Sequence, residues 1–120
     1  MVLDAAKNWE GPIPGSGTCR IVCAGAPPPT SIIERIEAEL GWEFIQIYGL
    51  TETAPYICGN RCRPEWDHLS ASERAAKLVR AGVPPIGTDL AIDSEGEILA
   101  RGNTVLKDCL LYTSPSPRDS

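Results

Sequence analysis

The sequence has little positive charge, a single histidine and no long apolar run. Eleven lysines and arginines stand against 16 aspartates and glutamates, so the formal net charge is -5. Such a chain has no excess positive charge to hold a nucleic acid backbone or an anionic lipid surface. No run of about 18 apolar residues exists to span a bilayer, and the residues after Met1 lack the features of a signal peptide. These absences predict a cytoplasmic protein with no nucleic acid partner and no transmembrane segment.

Five cysteines are an odd number, and the cytosol keeps thiols reduced, so we expect free thiols rather than disulfides. Four of them form two matching pairs, Cys19 with Cys23 and Cys58 with Cys62, a spacing that also suggests zinc. The run 18–24 is typical of a buried strand, which puts Cys19 and Cys23 roughly 13 Å apart, too far for one ion. We therefore favour free thiols, with a small cysteine-bearing metal or interaction module as the alternative.

The first half of the chain has the pattern of a βαβ unit of a parallel sheet. Three prolines and a glycine follow the first apolar run, so the strand must end there. The predicted elements are a strand at Thr18 to Ala24, a helix opened by a Ser31–Glu34 capping box and ended by Gly41, and a strand at Glu43 to Tyr48.

The second half predicts a loop, a helix and a β-hairpin. Residues 49–69 show no periodicity and are expected to form a long loop. A second capping box, Ser70 with Glu73, opens a helix to about Arg80. Runs at 88–92 and 97–101 flank an Asp-Ser-Glu-Gly turn and predict a hairpin. The fold class is therefore α/β, with a partial parallel sheet and an incomplete fold.

Two segments after the predicted strands suit a nucleotide, because the carboxyl ends of parallel strands meet at one edge of the sheet. Gly25, Ala26 and Pro27 carry no large side chain and let a flat ligand approach the backbone. In the second segment, Tyr48 can stack on a purine, Thr51 can donate to a phosphoryl oxygen and Glu52 can hold Mg²⁺. The alternative is that Tyr48 is a strand-end aromatic residue and Thr51 and Glu52 start a helix.

Three ordered motifs resemble those of the adenylate-forming (AMP-binding) superfamily of acyl-CoA synthetases. They are CAGAPPP at Cys23 to Pro29, YGLTET at Tyr48 to Thr53 and GEILARGN at Gly96 to Asn103. The segment between the last two motifs looks most like the fatty acyl-CoA synthetase branch. The resemblance implies that ATP and a carboxylate form an acyl-adenylate, and that the thiol of coenzyme A then displaces AMP. An adenylation domain for another acyl acceptor shares these motifs and is the alternative.

The resemblance also implies roles for single residues. Gly25, Ala26 and Pro27 would lie beside adenine, and Tyr48 would lie on the face of the ring. Gly49, Leu50 and Thr51 would complete the nucleotide site. Thr51, at the α-phosphate, and Glu52, as the magnesium ligand, would be the catalytic residues, whereas Arg101 in the hairpin and His68 in the loop would not be catalytic.

The chain resembles an interior fragment of such an enzyme. We expect residues 1–87 to belong to the parallel α/β part of the N-terminal domain, and residues 88–108 to form a hairpin of a small β-rich subdomain. Residues 109–120 resemble the translated read-through of a sequencing-library adapter, although a natural disordered tail is the alternative. The phosphate loop, the ribose-binding aspartate and the adenylation lysine implied by the resemblance have no counterpart here. We therefore predict a chain that is inactive alone.

Overall fold

The computed structural model describes residues 2–107 and shows an α/β fold with two separate sheets. Two short 3₁₀ turns lie near the middle of the chain, at Thr51–Thr53 and Pro64–Trp66. The helices and strands, in chain order, are α1 (Val2–Lys7), β1 (Arg20–Cys23), α2 (Thr30–Arg35), β2 (Glu43–Tyr48), β3 (Cys58–Arg61), α3 (Ala71–Leu78), β4 (Thr88–Ile92) and β5 (Ile98–Gly102).

The larger sheet has the order β1-β2-β3 and confirms the predicted βαβ unit. Strands β1 and β2 are parallel, with Cys23 beside Gln46, while β3 runs antiparallel to β2, with Cys58 beside Tyr48. The helix between β1 and β2 continues from α2 into a π-helical turn, Ile36–Leu40. It ends at Gly41, which has a left-handed φ of 66°, as the sequence predicted.

The core lies where α2, its π-helical turn and α3 pack on one face of β2. Alternate residues of β2 point to opposite faces, and Phe44 on the helix side is 3% exposed. Ile33 and Leu40 are each 1% exposed and meet Leu78 of α3 in the same cluster. The opposite face of the sheet is open, and Val22 on that face is 57% exposed.

Strand β3 corrects the prediction of a continuous loop over residues 49–69. Its sequence, CGNR, contains a glycine and an asparagine, which are depleted in strands, so its composition gave no strand signal. Tertiary contacts form it instead. Gly59 pairs with Ile47 of β2 on one side and exchanges two backbone hydrogen bonds with Val83 on the other.

The two predicted capping boxes have different outcomes. Ser31 does not cap α2, because the N-cap is Pro29 and no side chain bonds there. The run of prolines keeps the backbone extended as far as Pro29, which takes the N-cap position two residues before Ser31, so the helix begins at Thr30. Ser70 does cap α3, since its Oγ accepts the backbone N–H of Glu73 at 3.2 Å. That helix ends at Leu78, two residues short of the predicted Arg80.

The hairpin of β4 and β5 confirms the prediction to within one residue. Asp93 sets its turn, since Oδ1 accepts the backbone N–H groups of Glu95 at 2.8 Å and Glu97 at 2.9 Å. The two strands pair from Thr88 with Gly102 to Ile92 with Ile98. Within residues 2–107, no helix is long and apolar enough to cross a membrane.

Candidate functional site

The segment Tyr48 to Thr53 leaves β2 as a tight, internally bonded turn. The hydroxyl of Thr53 is its centre, because it accepts the N–H of Leu50 at 2.8 Å and lies 2.8 Å from the Leu50 carbonyl oxygen. Thr53 is 5% exposed, so its side chain faces inward. Thr51 and Glu52, in the same 3₁₀ turn, are exposed. Thr53 therefore fixes the backbone, while the two predicted catalytic residues project to the surface.

Gly49 is required by close packing within this turn. A Cβ atom at this position would lie 2.2 Å from the carbonyl oxygen of Pro55 and 2.3 Å from the Cα of Tyr56. The returning chain is held there because the N–H of Ile57 donates to the carbonyl of Tyr48 at 2.8 Å. The resemblance placed Gly49 in the nucleotide site, and the structure adds that Gly49 is a point of contact between two backbone segments.

The two predicted ligand segments lie at the same edge of the sheet. Strands β1 and β2 are parallel, and Cys23 lies beside Gln46, so the segments that follow the two strands leave the sheet in the same direction. Gly25, Ala26 and Pro27 are exposed there. Gly25 has a φ of +88°, and a Cβ atom added to it would meet nothing within 4 Å, so the chain turns in open space. This arrangement leaves room at the edge for a ligand beside both segments.

The hairpin is connected to the same turn. After β5, the N–H of Leu106 donates to the backbone carbonyl of Glu52 at 2.7 Å. This bond uses the main chain of Glu52 and leaves its carboxylate exposed. Arg101 forms an ion pair with Asp89 across the hairpin at 2.7 Å, so its positive charge is neutralised within the hairpin.

Gln46 is a residue of interest that the sequence interpretation missed. It lies two positions before Tyr48 on the same face of β2 and is 3% exposed. Its Nε2 donates to the carbonyl of Ile47 at 3.2 Å, but among residues 2–107 its Oε1 is a buried oxygen with no partner. Buried polar atoms are rarely left unpaired, so this oxygen can accept one further hydrogen bond. A polar residue inside an apolar strand was the signal that could have identified it.

The paired cysteines do not form a metal centre in the described part of the chain. Cys19, Cys23, Cys58 and Cys62 are free, and residues 2–107 contain no group of three His, Cys, Asp or Glu side chains placed to hold an ion. Burial raises the pKa of the Cys58 thiol and, as the main cause, that of Cys62. A raised pKa favours the protonated thiol, which is a poor metal ligand and a poor nucleophile.

A cavity of about 760 Å³ opens at the opposite edge of the larger sheet and includes none of the predicted site residues. Its lining comes from the starts of β1 and β2 and from Cys62 and Arg74. Arg74 pairs there with Glu37 of the π-helical turn, and this contact raises the pKa of the arginine. Arg20 also pairs with Glu43 at this cavity, so both of its arginines are neutralised by neighbouring glutamates.

Two glycine-bearing turns at one edge of a parallel βαβ unit, one of them with hydroxyl side chains, are typical of a nucleotide-binding α/β protein. Comparison with known protein families defines the class of protein more narrowly than the fold does. The family model "AMP-binding enzyme" matches residues 3–108. The chain therefore belongs to the AMP-binding enzyme family, as the sequence motifs indicated.

Curated relatives carry names of CoA ligases and acyl-activating enzymes. The 2-methylpropanoate–CoA ligase CCL4 of Humulus lupulus is 36% identical, over 88% of this chain and 21% of its own length. The "Probable acyl-activating enzyme 6" of Arabidopsis thaliana is 38% identical, over 88% of this chain and 22% of its own. The chain thus spans about a fifth of the length of the curated relatives it matches.

Solved structures share the fold. The o-succinylbenzoate CoA synthetase of Bacillus subtilis, in complex with its acyl-adenylate intermediate, matches with a TM-score of 0.65 and 23% identity, over 93% of this chain and 23% of that chain. A long-chain-fatty-acid–CoA ligase of Archaeoglobus fulgidus gives a TM-score of 0.62 and 21% identity, over 88% and 23% of the two chains. The α/β architecture described above is therefore shared with a segment of each of these structures.

Proposed function

We propose that this chain is part of an ATP-dependent acyl-CoA synthetase that forms an acyl-adenylate and then a thioester with coenzyme A. The observation that carries the proposal is the family match over residues 3–108, together with the two motif segments at one edge of the sheet. The relatives' names, which are those of CoA ligases and acyl-activating enzymes, support coenzyme A as the acyl acceptor. An adenylation domain for another acceptor is the alternative.

For the substrate we propose a fatty acid of medium or long chain. The segment from Pro64 through α3 supports this, since it resembles the fatty acyl-CoA synthetase branch. A short branched acid is a second candidate, because a relative that is 36% identical is named as a 2-methylpropanoate–CoA ligase. The two candidates differ in the length of the acyl pocket.

The proposed nucleotide site uses the exposed side of the turn after β2. Tyr48 would lie against adenine, with Gly25, Ala26 and Pro27 beside the ring. Gly49 and Leu50 would line the path to Thr51, whose hydroxyl is free to donate to the α-phosphate. The Oε1 of Gln46, which has no partner among residues 2–107, would be an acceptor for an amino group of the base.

Magnesium would be held at Glu52. One exposed carboxylate, without a metal cluster among residues 2–107, fits an ion that arrives with ATP better than an ion held by protein alone. Mg²⁺ typically binds to one or two carboxylates and to phosphate oxygens, and it keeps several waters. When bound, it neutralises phosphoryl charge. Glu52 would fix its position, and the Leu106 bond to the Glu52 carbonyl would hold that backbone still.

We further propose that residues 1–87 are a fragment of the N-terminal domain of the enzyme and that 88–108 belong to its small β subdomain. Residues 109–120, for which we propose an adapter origin, lie outside the described residues. We infer that the 120-residue chain is inactive alone, since positioning groups each contribute a few kcal/mol to catalysis. The cytoplasmic location stays a prediction from the sequence.

The proposal is tested by recovering the coding sequence on both sides of this segment and expressing the longer protein. We expect carboxylate-dependent exchange of pyrophosphate into ATP by the longer protein and none by the 120-residue chain. A panel from 2-methylpropanoate to long-chain fatty acids assigns the substrate, and release of AMP on adding coenzyme A identifies the acceptor. Absence of exchange with every carboxylate, in a folded longer protein, would refute the proposed function.

A further inference from the structure

A second polar pocket lies outside the nucleotide motif, between β3 and the end of α3. It has a volume of about 250 Å³. Its charged lining residues are Arg63, Lys77 and Arg80, and Trp66 forms one wall. Among the residues that the structure describes, no carboxylate lines it. The pocket thus gathers three positive charges in a chain whose net charge is -5.

The cations of this pocket differ from the other arginines between residues 2 and 107 in having no carboxylate partner. The paired arginines are Arg20 and Arg61 with Glu43, Arg35 with Glu39, Arg74 with Glu37 and Arg101 with Asp89. In this same part of the chain, neither Arg63 nor Arg80 forms an ion pair. Their charge is available to a ligand.

Trp66 holds two of the cations in place. The Arg63 guanidinium lies 5.6 Å from the ring centroid and the Lys77 ammonium 5.5 Å from it. Lys77 follows Glu73 by four residues, a spacing that commonly gives an ion pair on a helix, yet its ammonium lies over the ring instead. The aromatic ring therefore brings two like charges to one pocket before any ligand is present, which lowers the ordering cost of binding.

A purely structural explanation accounts for part of this arrangement. Cations are favoured near the carboxyl end of a helix, where Lys77 and Arg80 lie. However, carbonyl groups at this helix end already have a hydrogen-bond donor. The Nδ2 of the buried Asn60 side chain donates to the carbonyl oxygens of Lys77 at 2.8 Å and Arg80 at 3.0 Å. Arg63 precedes a different turn and gains nothing from the helix end. The cluster is therefore larger than the helix terminus requires.

We propose that this pocket binds the phosphate group of a small phosphorylated ligand. Arginine presents a planar fork of N–H donors that matches phosphate oxygens, and lysine adds a point charge. A volume of about 250 Å³ suits a phosphate or diphosphate group rather than a macromolecular surface. The phosphate belongs either to a free inorganic anion or to a nucleotide. The site is built from residues other than Tyr48 to Glu52, so it does not depend on the proposed function.

The test is a titration of the full 120-residue chain followed by NMR of arginine side-chain N–H and tryptophan indole signals. The probes are inorganic pyrophosphate and adenosine 3′,5′-bisphosphate. We expect the NMR chemical shifts of Arg63, Arg80 and Trp66 to change with probe concentration and to reach a plateau. Tighter binding of the bisphosphate supports the nucleotide as the source, and equal or weaker binding supports the free anion.

Matched variants separate a specific site from general attraction. Removing two charged donors in the double variant Arg63→Gln/Arg80→Gln should weaken binding at least about tenfold. Lys107→Gln removes an exposed cation that does not line the pocket and should leave affinity within about twofold, because solvent and salt screen an exposed charge. If the double variant does not fold by circular dichroism, Arg80→Gln at an exposed position replaces it. No saturable shift at millimolar probe, or equal weakening by Lys107→Gln, would overturn the proposal.

Discussion

The sheet-and-helix unit and the hairpin are stabilised in different ways. In the first, Ile33 and Leu40 are each 1% exposed, so helix and strand form because they bury a shared core. In the hairpin, Ile92 is 73% and Ile98 53% exposed. Its pairing depends on the turn at Asp93 and on backbone bonds. Within residues 2–107, these apolar side chains of the hairpin therefore have no core that buries them.

This difference predicts a large contrast between two truncations of similar size. Leu40→Ala should lower the free energy of unfolding by about 2–5 kcal/mol, because it leaves a cavity in the core. Ile92→Ala, at an exposed hairpin position, should change it by less than about 0.5 kcal/mol. Urea unfolding monitored by tryptophan fluorescence measures both. Similar losses for the two variants would show that the hairpin has a core of its own.

Within the first unit, the turn at the candidate site is expected to depend on Gly49. Gly49→Ala should cost about 1–3 kcal/mol, because the new methyl group would overlap the backbone of Pro55 and Tyr56. Gly59→Ala is the matched control, since nothing lies within 4 Å of its added Cβ and its φ is not positive. Thermal unfolding compares the two. If both variants have the same midpoint, the close approach at Gly49 is not required.

The two capping boxes give a smaller and sharper contrast. Ser70→Ala should cost about 1 kcal/mol, because it removes the acceptor for the Glu73 N–H at the start of α3. Ser31→Ala should be close to neutral, since Ser31 caps nothing in the structure. Chemical denaturation of the two variants measures the difference. A larger loss of stability in Ser31→Ala than in Ser70→Ala would show that Ser31 caps α2, as the sequence predicted.

The smallest expected effect is the pH dependence of Glu43 on the open face of the sheet. Hydrogen bonds from Arg61 and, to a lesser extent, Arg20 hold the pKa of this carboxyl below its ordinary value of 4.5. A depressed pKa stabilises the folded state above the unfolded value, and this stability is lost as pH falls through the folded pKa. Glu43→Gln should therefore cost up to about 1 kcal/mol at pH 7, and the difference should vanish in acid.

Glu97→Gln in the hairpin is the control variant for Glu43→Gln. Glu97 is exposed, and within residues 2–107 its carboxylate has no ion-pair partner. Glu97→Gln should therefore change the free energy of unfolding by less than about 0.5 kcal/mol at pH 7. A difference between wild type and Glu43→Gln that persists at pH 2 would show that the glutamate acts through packing rather than charge.

Local sequence patterns predicted the elements that local chemistry determines. The strand at Glu43 to Tyr48, the stop at Gly41 and the hairpin turn at Asp93 all follow from residues close together in the chain. Strand β3 could not be predicted, because Ile47 and Val83, far apart in sequence, form it by pairing on either side of Gly59. The start of α2 was wrong because the prolines fix the chain before Ser31.

For the candidate site, the sequence predicted which residues share an edge but not how they are held. Parallel pairing of β1 and β2 brings Gly25 and Tyr48 to the same side, as expected. The inward hydroxyl of Thr53, the packing of Gly49 and the unpartnered oxygen of Gln46 depend on three-dimensional contacts that no local pattern records. Roles for Thr51 and Glu52 stay predictions until they are measured.

The most direct test of the central claim is pyrophosphate exchange by the longer enzyme carrying Glu52→Gln, compared with Arg101→Gln. Our account predicts that Glu52→Gln lowers exchange at least about 100-fold in a folded protein, because the group that positions the metal is lost. Arg101→Gln should retain exchange within a few-fold, since Arg101 pairs within the hairpin. Unchanged exchange in Glu52→Gln would contradict the assignment of this turn to the adenylation site.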